Sequence, residues 1–341
     1  MATVPLGNVG GAPTAPLGRL LGNGLDARQF TDLSTIDPRN PGTLVTPSER
    51  FYIRTATPSD VNGARGFSRA SGIDFAALEK DAIRVGPWVL ECAGNSDPAN
   101  FGLLSAGSWA GVPLPAILDR LPKPAEGARV LVTGVDDPGP SVTSTPGASW
   151  IFTRDELEGA ILATRLNEAP LPRHHGAPAR LIVPRYYGCA CIKWVDRIAL
   201  VDANAAATSQ MQEFSARTHQ SGIPALARDY EPPVIDTAAI PVRVEKWIAN
   251  GRVEYRIVGI IWGGVKPTNA LSIRFKTGTP WTKVNDCPLP VSTLTWSTWT
   301  HTWRPQTPGR YQIVLRVDDP TIRTRRLDLF YYVREIQITE V

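Results

Sequence analysis

The sequence predicts an α+β unit followed by an all-β sandwich. Three observations carry that expectation. Up to about residue 236, helical and strand patterns mix without the regular βαβ repeat of a doubly wound sheet. After Ala239, strand follows strand with Gly, Pro and Asp punctuation and no helical window. Pro (31) and Gly (29) are both plentiful, which favours turns over long helices. At 341 residues the chain has room for two domains, and 43% apolar with 20% charged residues is the composition of a globular protein.

Residues 1–45 are rich in Gly, Pro and Ala, and read as an extended arm lying on the first domain. Phe51–Arg54 is strand-like, and Thr57-Pro58-Ser59-Asp60 is a turn. Val85–Cys92 is a second strand. Gly111–Leu121 opens with prolines, tolerated at a helix start, and then takes helical spacing. Ala128–Gly134 alternates as a strand and ends in the polar turn Asp136-Asp137-Pro138. Thr153-Arg154-Asp155-Glu156 is a capping box, flanked by Phe152 and Leu157 as a hydrophobic staple, so a helix is expected from Arg154 to about Leu166. Arg180–Val183 and Cys191–Val201 read as strands, and residues 203–236 as a long loop packed on the first domain. Five strand-like runs follow, within Val253–Val258, Leu271–Lys276, the run ending at Thr302-Trp303, Tyr311–Val317 and Leu327–Ile338. The expected units are therefore an arm (1–45), an α+β domain (46–236) and a β-sandwich (237–341). The six tryptophans of the last unit are expected in its core.

The formal net charge is only +4, so nothing in the total demands nucleic acid. From Pro241 onward 15 Lys and Arg stand against 8 Asp and Glu, a basic surplus open to an anionic substrate, a partner protein or plain solvation. Four cysteines are too few for a disulfide scaffold. There is no C-x-x-C-H, so no covalent haem is expected, and the four His do not pair with the cysteines at zinc-finger distances. No apolar run approaches about 18 residues, so no membrane span is expected. Without a leader or twin arginine the chain as written reads as cytoplasmic, or periplasmic if an export leader has been removed.

Cys92 leaves an apolar run, Trp88-Val89-Leu90-Glu91, and enters the small turn Ala93-Gly94-Asn95, where a thiolate could face a cleft. Read alone it is equally a buried apolar cysteine. Downstream stand His175-Gly176-Ala177-Pro178-Ala179-Arg180, then Gly188 and Ile192-Lys193-Trp194. Together these segments resemble the molybdenum-cofactor domain of the sulfite oxidase family. The resemblance runs from about residue 50 to the C-terminus. It implies that domain type over 46–236 and an immunoglobulin-like, dimerising sandwich over 237–341. It also implies Cys92 as the protein ligand to molybdenum, with Arg54 over the metal site as its catalytic companion. Tyr52, Arg54, Thr55, Cys92, Asp136, His175, Arg180, Cys191 and Lys193 become the expected contacts of the molybdopterin cofactor. Soft sulfur donors suit the metal, and Arg, Lys and His suit the cofactor's phosphate.

The sequence departs from the family where sulfite would bind. Ser96-Asp97 stand in place of two basic residues, and Asp97 is expected to repel a dianion. Phe214 holds the region of the family's catalytic tyrosine, and Ala190 that of an arginine. The leading expectation is two-electron oxygen-atom transfer on a small molecule, sulfite or a related compound, with electrons passed to a separate acceptor such as a cytochrome. Reduction of a sulfoxide or another oxidised compound is the alternative. A non-catalytic binding module is the alternative of another class.

Overall fold

The computed structural model describes residues 1–4, 6, 19–21, 26–54, 79–135, 148–276 and 279–341. The expected turns at Thr57–Asp60 and Asp136–Pro138, residues Thr277 and Gly278, and most of the first 25 residues of the arm lie outside them. The described residues are mostly sheet, joined by short 3-10 turns and two five-residue α-helices, Leu114–Leu118 and Ser209–Glu213.

In the first half, Ile83–Glu91 pairs with Leu104–Pro113, which pairs with Ile161–Leu166; that strand also pairs with Arg180–Ile182 and Ala169–Pro170, all antiparallel. A second sheet places Arg129–Gly134 between Val195–Val201 and Ser149–Phe152. A third joins Arg19–Leu21, Asp26–Gln29 and Ile53–Arg54.

The second half holds two four-stranded sheets. Ala238–Ala249, Arg252–Trp262 and Ser297–Trp303 run side by side, and Ala2–Val4 adds to the free edge, so the start of the expected arm is strand. Leu271–Arg274, Gly309–Val317 and Arg334–Ile338 form the core of the other, edged by Thr282–Lys283. Aromatic rings join the two sheets. Phe275 stacks on Trp303 at 4.0 Å with planes 2° apart, and Tyr311 meets Trp303 edge-on at 4.8 Å. Trp296 and Trp299 are buried as expected, while Trp281 lies between the guanidinium groups of Arg274 and Arg316 at 4.5 Å each. Gly259 sits opposite Trp299, and an added Cβ would lie 2.1 Å from a carbon of its ring. Gly259→Ala should therefore cost about 1–3 kcal/mol by overpacking, read as a lower thermal unfolding midpoint.

The two halves interlock. Val89 N–H donates to Leu294 O at 2.7 Å, and Trp296 Nε1 to Leu44 O at 3.0 Å. The carboxylate of Glu245, 1% exposed, binds Arg39 and Arg243 at 2.9 and 2.8 Å.

The expected helix from Arg154 to Leu166 is not there. Its capping box forms: Glu156 N–H donates to Thr153 Oγ1 at 3.2 Å, and Thr153 N–H to the Glu156 carboxylate at 2.6 Å. The box caps one 3-10 turn, Asp155–Leu157, and Gly159 at φ +77° then turns the chain out of the helix. Ala160 to Ala163 are all fully buried, between strands on both sides, so burial on two faces overrides the local start signal. The strand expected from Cys191 begins only at Val195.

Candidate active site

Cys92 stands where the strand Ile83–Glu91 ends. Its N–H donates to Leu103 O at 3.0 Å, and its carbonyl accepts Asn95 N–H at 2.8 Å, closing the turn Ala93–Ser96. The sulfur accepts Gly94 N–H at 3.3 Å. The asparagine of the turn is a clip: Asn95 Oδ1 accepts Gly102 N–H at 2.7 Å and its amide donates to Glu91 at 2.6 Å.

A cleft of about 900 Å³, open to solvent, lies against this sulfur. Seven of the nine expected cofactor contacts line it: Tyr52, Arg54, Cys92, His175, Arg180, Cys191 and Lys193. Thr55 and Asp136 lie outside the described residues. The short strand Ile53–Arg54 brings Arg54, the 3-10 turn Arg173–His175 brings His175, and Arg180 opens a strand.

One wall of the cleft is made by His175, Arg180 and Lys193. Arg180 is 6% exposed. One Nη donates to His175 O at 3.2 Å, while its Nε has no partner among the described residues. Lys193 Nζ lies 4.0 Å from the Trp194 ring and reaches the carbonyls of Arg54 and His174 at 3.4 Å. Burial, reinforced by His174 and Arg180, holds His175 down to about 3, so it is neutral at pH 7. An unfolded histidine titrates near 6.5. Between pH 6.5 and 3 the unfolded chain takes a proton that folded His175 refuses. Its contribution is complete above 6.5 and is lost as pH falls toward 3. Thermal unfolding should shift down over that window, and His175→Gln should flatten the slope. His301, held at about 4 by burial, adds in the same sense.

Burial also pushes the Cys92 thiol up, against the Gly94 N–H and the positive charges of Arg54 and Arg217. A metal ion reverses that balance, because it binds the thiolate. Among the described residues no cluster of three His, Cys, Asp or Glu side chains could hold an ion alone. The cleft fits the expected cofactor. It offers the sulfur of Cys92, with Cys189 and Cys191 also in the lining, an unpartnered guanidinium nitrogen for an anion, and the buried, unpartnered Asn100 Oδ1 as an acceptor for ring N–H donors.

The sequence reading missed His174, Asn100, Gln210 and Arg217, all of which line the cleft. Phe214 and Arg217 arrive on the loop 203–236, where the helix Ser209–Glu213 runs into the 3-10 turn Ser215–Arg217. The Arg217 guanidinium lies 5.6 Å from the Phe214 ring centre. Gln210 donates to Cys189 O, tying the loop to the segment Cys189-Ala190-Cys191. That segment is a turn: Cys191 N–H bonds Gly188 O at 3.2 Å, Cys191 Sγ accepts Val183 N–H at 3.4 Å, and both cysteines line the cleft. Asp97, expected to repel an anion, does not line the cleft.

Residues 69–209 match the oxidoreductase molybdopterin-binding domain. The match takes in Cys92, His175, Arg180 and Lys193. Over part of its length the chain is similar to sulfite oxidases. It is 29% identical to the mitochondrial sulfite oxidase of Drosophila melanogaster over 192 residues, covering 50% of this chain and 33% of that protein. It is 29% identical over 206 residues to the catalytic subunit of a protein-methionine-sulfoxide reductase, MsrP, from Xanthomonas campestris, covering 48% of this chain and 62% of that one. The chain thus matches about a third of the length of the fly sulfite oxidase. The sulfane dehydrogenase SoxCD from Paracoccus pantotrophus shares its fold at TM-score 0.64 and 17% identity, over 94% of this chain and 89% of that one. Tyr52, Arg54 and Arg217 lie outside the matched domain, so their place in the cleft comes from the fold.

Gly188 shows how tightly the cleft is built. A Cβ there would lie 2.6 Å from the Tyr52 hydroxyl and 3.3 Å from Glu91 O. Gly188→Ala should drive Tyr52 from its seat beside Arg180 and cost about 1–3 kcal/mol, with weaker cofactor retention on gel filtration.

Proposed function

We propose that this chain is a molybdenum-cofactor oxidoreductase that transfers an oxygen atom from water to a small oxyanion of the sulfite type. The observation that carries this reading is the convergence of Cys92, Arg54 and Arg217 on one cleft whose wall is His175, Arg180 and Lys193. When bound, the cofactor supplies a soft metal that cycles by two electrons. Cys92 is the protein sulfur donor to it. Arg180 and Lys193 hold its phosphate, and neutral His175 gives a ring nitrogen without adding charge. Tyr52 and Cys191 add contacts from the cleft wall, and the resemblance adds Thr55 and Asp136, which lie outside the described residues.

Arg54 and Arg217 attract and orient the oxyanion in a partly desolvated cleft. Arg217 supplies the charge missing at Ser96-Asp97, from a loop more than a hundred residues downstream. The balance is one water consumed, two protons released and two electrons passed to a separate acceptor such as a cytochrome. The second half, residues 237–341, is read as the family's immunoglobulin-like, dimerising domain; sedimentation of the purified chain tests the dimer.

The methionine-sulfoxide reductase relative and the apolar Phe214 face favour a second reading, reduction of a neutral sulfoxide. The first experiment is molybdenum and pterin analysis of the purified chain, followed by sulfite-dependent reduction of ferricyanide or cytochrome c. About one molybdenum per chain with sulfite turnover supports the proposal. Molybdenum with turnover of methionine sulfoxide alone supports the second reading, and no molybdenum from cofactor-competent cells overturns both.

A further inference from the structure

Behind Cys92 lies a buried charge that the proposed chemistry does not use. Glu91 is fully buried and is the last residue of the strand that delivers the cysteine. Its Oε1 accepts the Asn95 amide at 2.6 Å and pairs with Arg325 at 2.8 Å. Its Oε2 accepts Trp262 Nε1 at 2.8 Å, and its backbone carbonyl accepts Gly188 N–H at 2.7 Å. Arg325 is itself only 6% exposed in its side chain, and also donates to the hydroxyls of Tyr187 at 2.8 Å and Tyr332 at 3.1 Å.

Glu91 therefore ties four segments together: its carboxylate holds the cysteine turn, the end of the strand Arg252–Trp262 and the loop at Arg325, and its backbone carbonyl holds the Gly188 turn. Such a pair is costly to bury and returns that cost only with full hydrogen bonding, which is what these contacts give it. Remove the cation, and Glu91 must find water or another donor. Asn95 then loses its fixed acceptor, and the turn carrying the sulfur loses its clip.

We propose that Arg325 and Trp262 are positioning residues for Cys92, acting through the Glu91 carboxylate, so that the second half of the chain sets where the sulfur lies. The catalytic meaning of this placement rests on the reading of Cys92 as metal ligand; the placement itself does not. The test is the rate at which iodoacetamide alkylates Cys92, followed by mass spectrometry. It uses the full chain from cells that cannot make molybdopterin, with Cys287 as internal reference. Arg325→Met should speed Cys92 roughly tenfold or more relative to Cys287, the scale of one lost charge-assisted hydrogen bond. Arg325→Lys should restore most of the wild-type rate, because the cation returns. If Arg325→Met does not fold, Trp262→Phe removes one donor only and should speed Cys92 severalfold.

An unchanged Cys92 rate in a folded variant overturns the proposal. So does an equal rise at Cys92 and Cys287, or no rescue by lysine, since either marks general loosening. If Cys92 responds as expected while wild-type chain from cofactor-competent cells holds no molybdenum, the positioning stands and the functional reading falls.

Discussion

Cys92→Ala is expected to strip the protein of molybdenum while leaving its fold intact. Outer-shell partners of a metal site typically cost about 10–100-fold in metal affinity when removed, and the one protein donor should cost at least the upper end of that range. The fold should tolerate the change. The side chain is small, and the turn is held by Asn95, Leu103 and Glu91 rather than by sulfur. The Gly94 N–H loses its weak sulfur acceptor, a cost of about 1 kcal/mol. Cys92→Ser separates sulfur chemistry from shape: a harder oxygen in the same place should hold the metal poorly. The measurements are molybdenum per chain by plasma mass spectrometry and far-ultraviolet circular dichroism. Unchanged metal content in folded Cys92→Ala would remove Cys92 from the site.

The second large effect falls on Arg217. Arg217→Ala should raise the KM for sulfite by roughly tenfold and Arg217→Glu by more, the size expected for one charged hydrogen bond at a partly exposed site. On the proposed reading Arg54 remains in the cleft with Cys92, so kcat should fall much less, the pattern of lost uniform binding. The KM of the wild type should rise with ionic strength, and that of Arg217→Ala less steeply. A neutral sulfoxide, if turned over, should not sense either change. Asp97→Arg should move KM little, because Asp97 does not line the cleft. Equal losses for charged and neutral substrates would show that Arg217 shapes the loop and does not read charge.

What could be read in the sequence has a common physical basis. Strands with one buried face alternate, so Arg129–Gly134 and Gly309–Val317 were legible. A thiol next to Gly94, and His175 with Arg180 and Lys193 at fixed offsets, are residue types that bulk packing does not require, and the family resemblance gave them an order. The helix at Arg154 failed for a reason equally physical. The capping box is a contact between neighbours and formed as expected, but whether the chain continues as helix depends on what surrounds Ala160–Ala163, and those neighbours are strands at 104–113 and 180–182.

By itself, then, the sequence determined the alternating strands, the resemblance and the residue types that line the cleft, because turn chemistry, periodicity and motif order act over a few residues. Tertiary structure alone decided which loop closes the cleft, that Arg217 lines it while Asp97 does not, and that Glu91 is met by Arg325 and Trp262. A charge can be buried only where its partner lies within hydrogen-bond reach, and for Glu91 that partner is more than two hundred residues away along the chain.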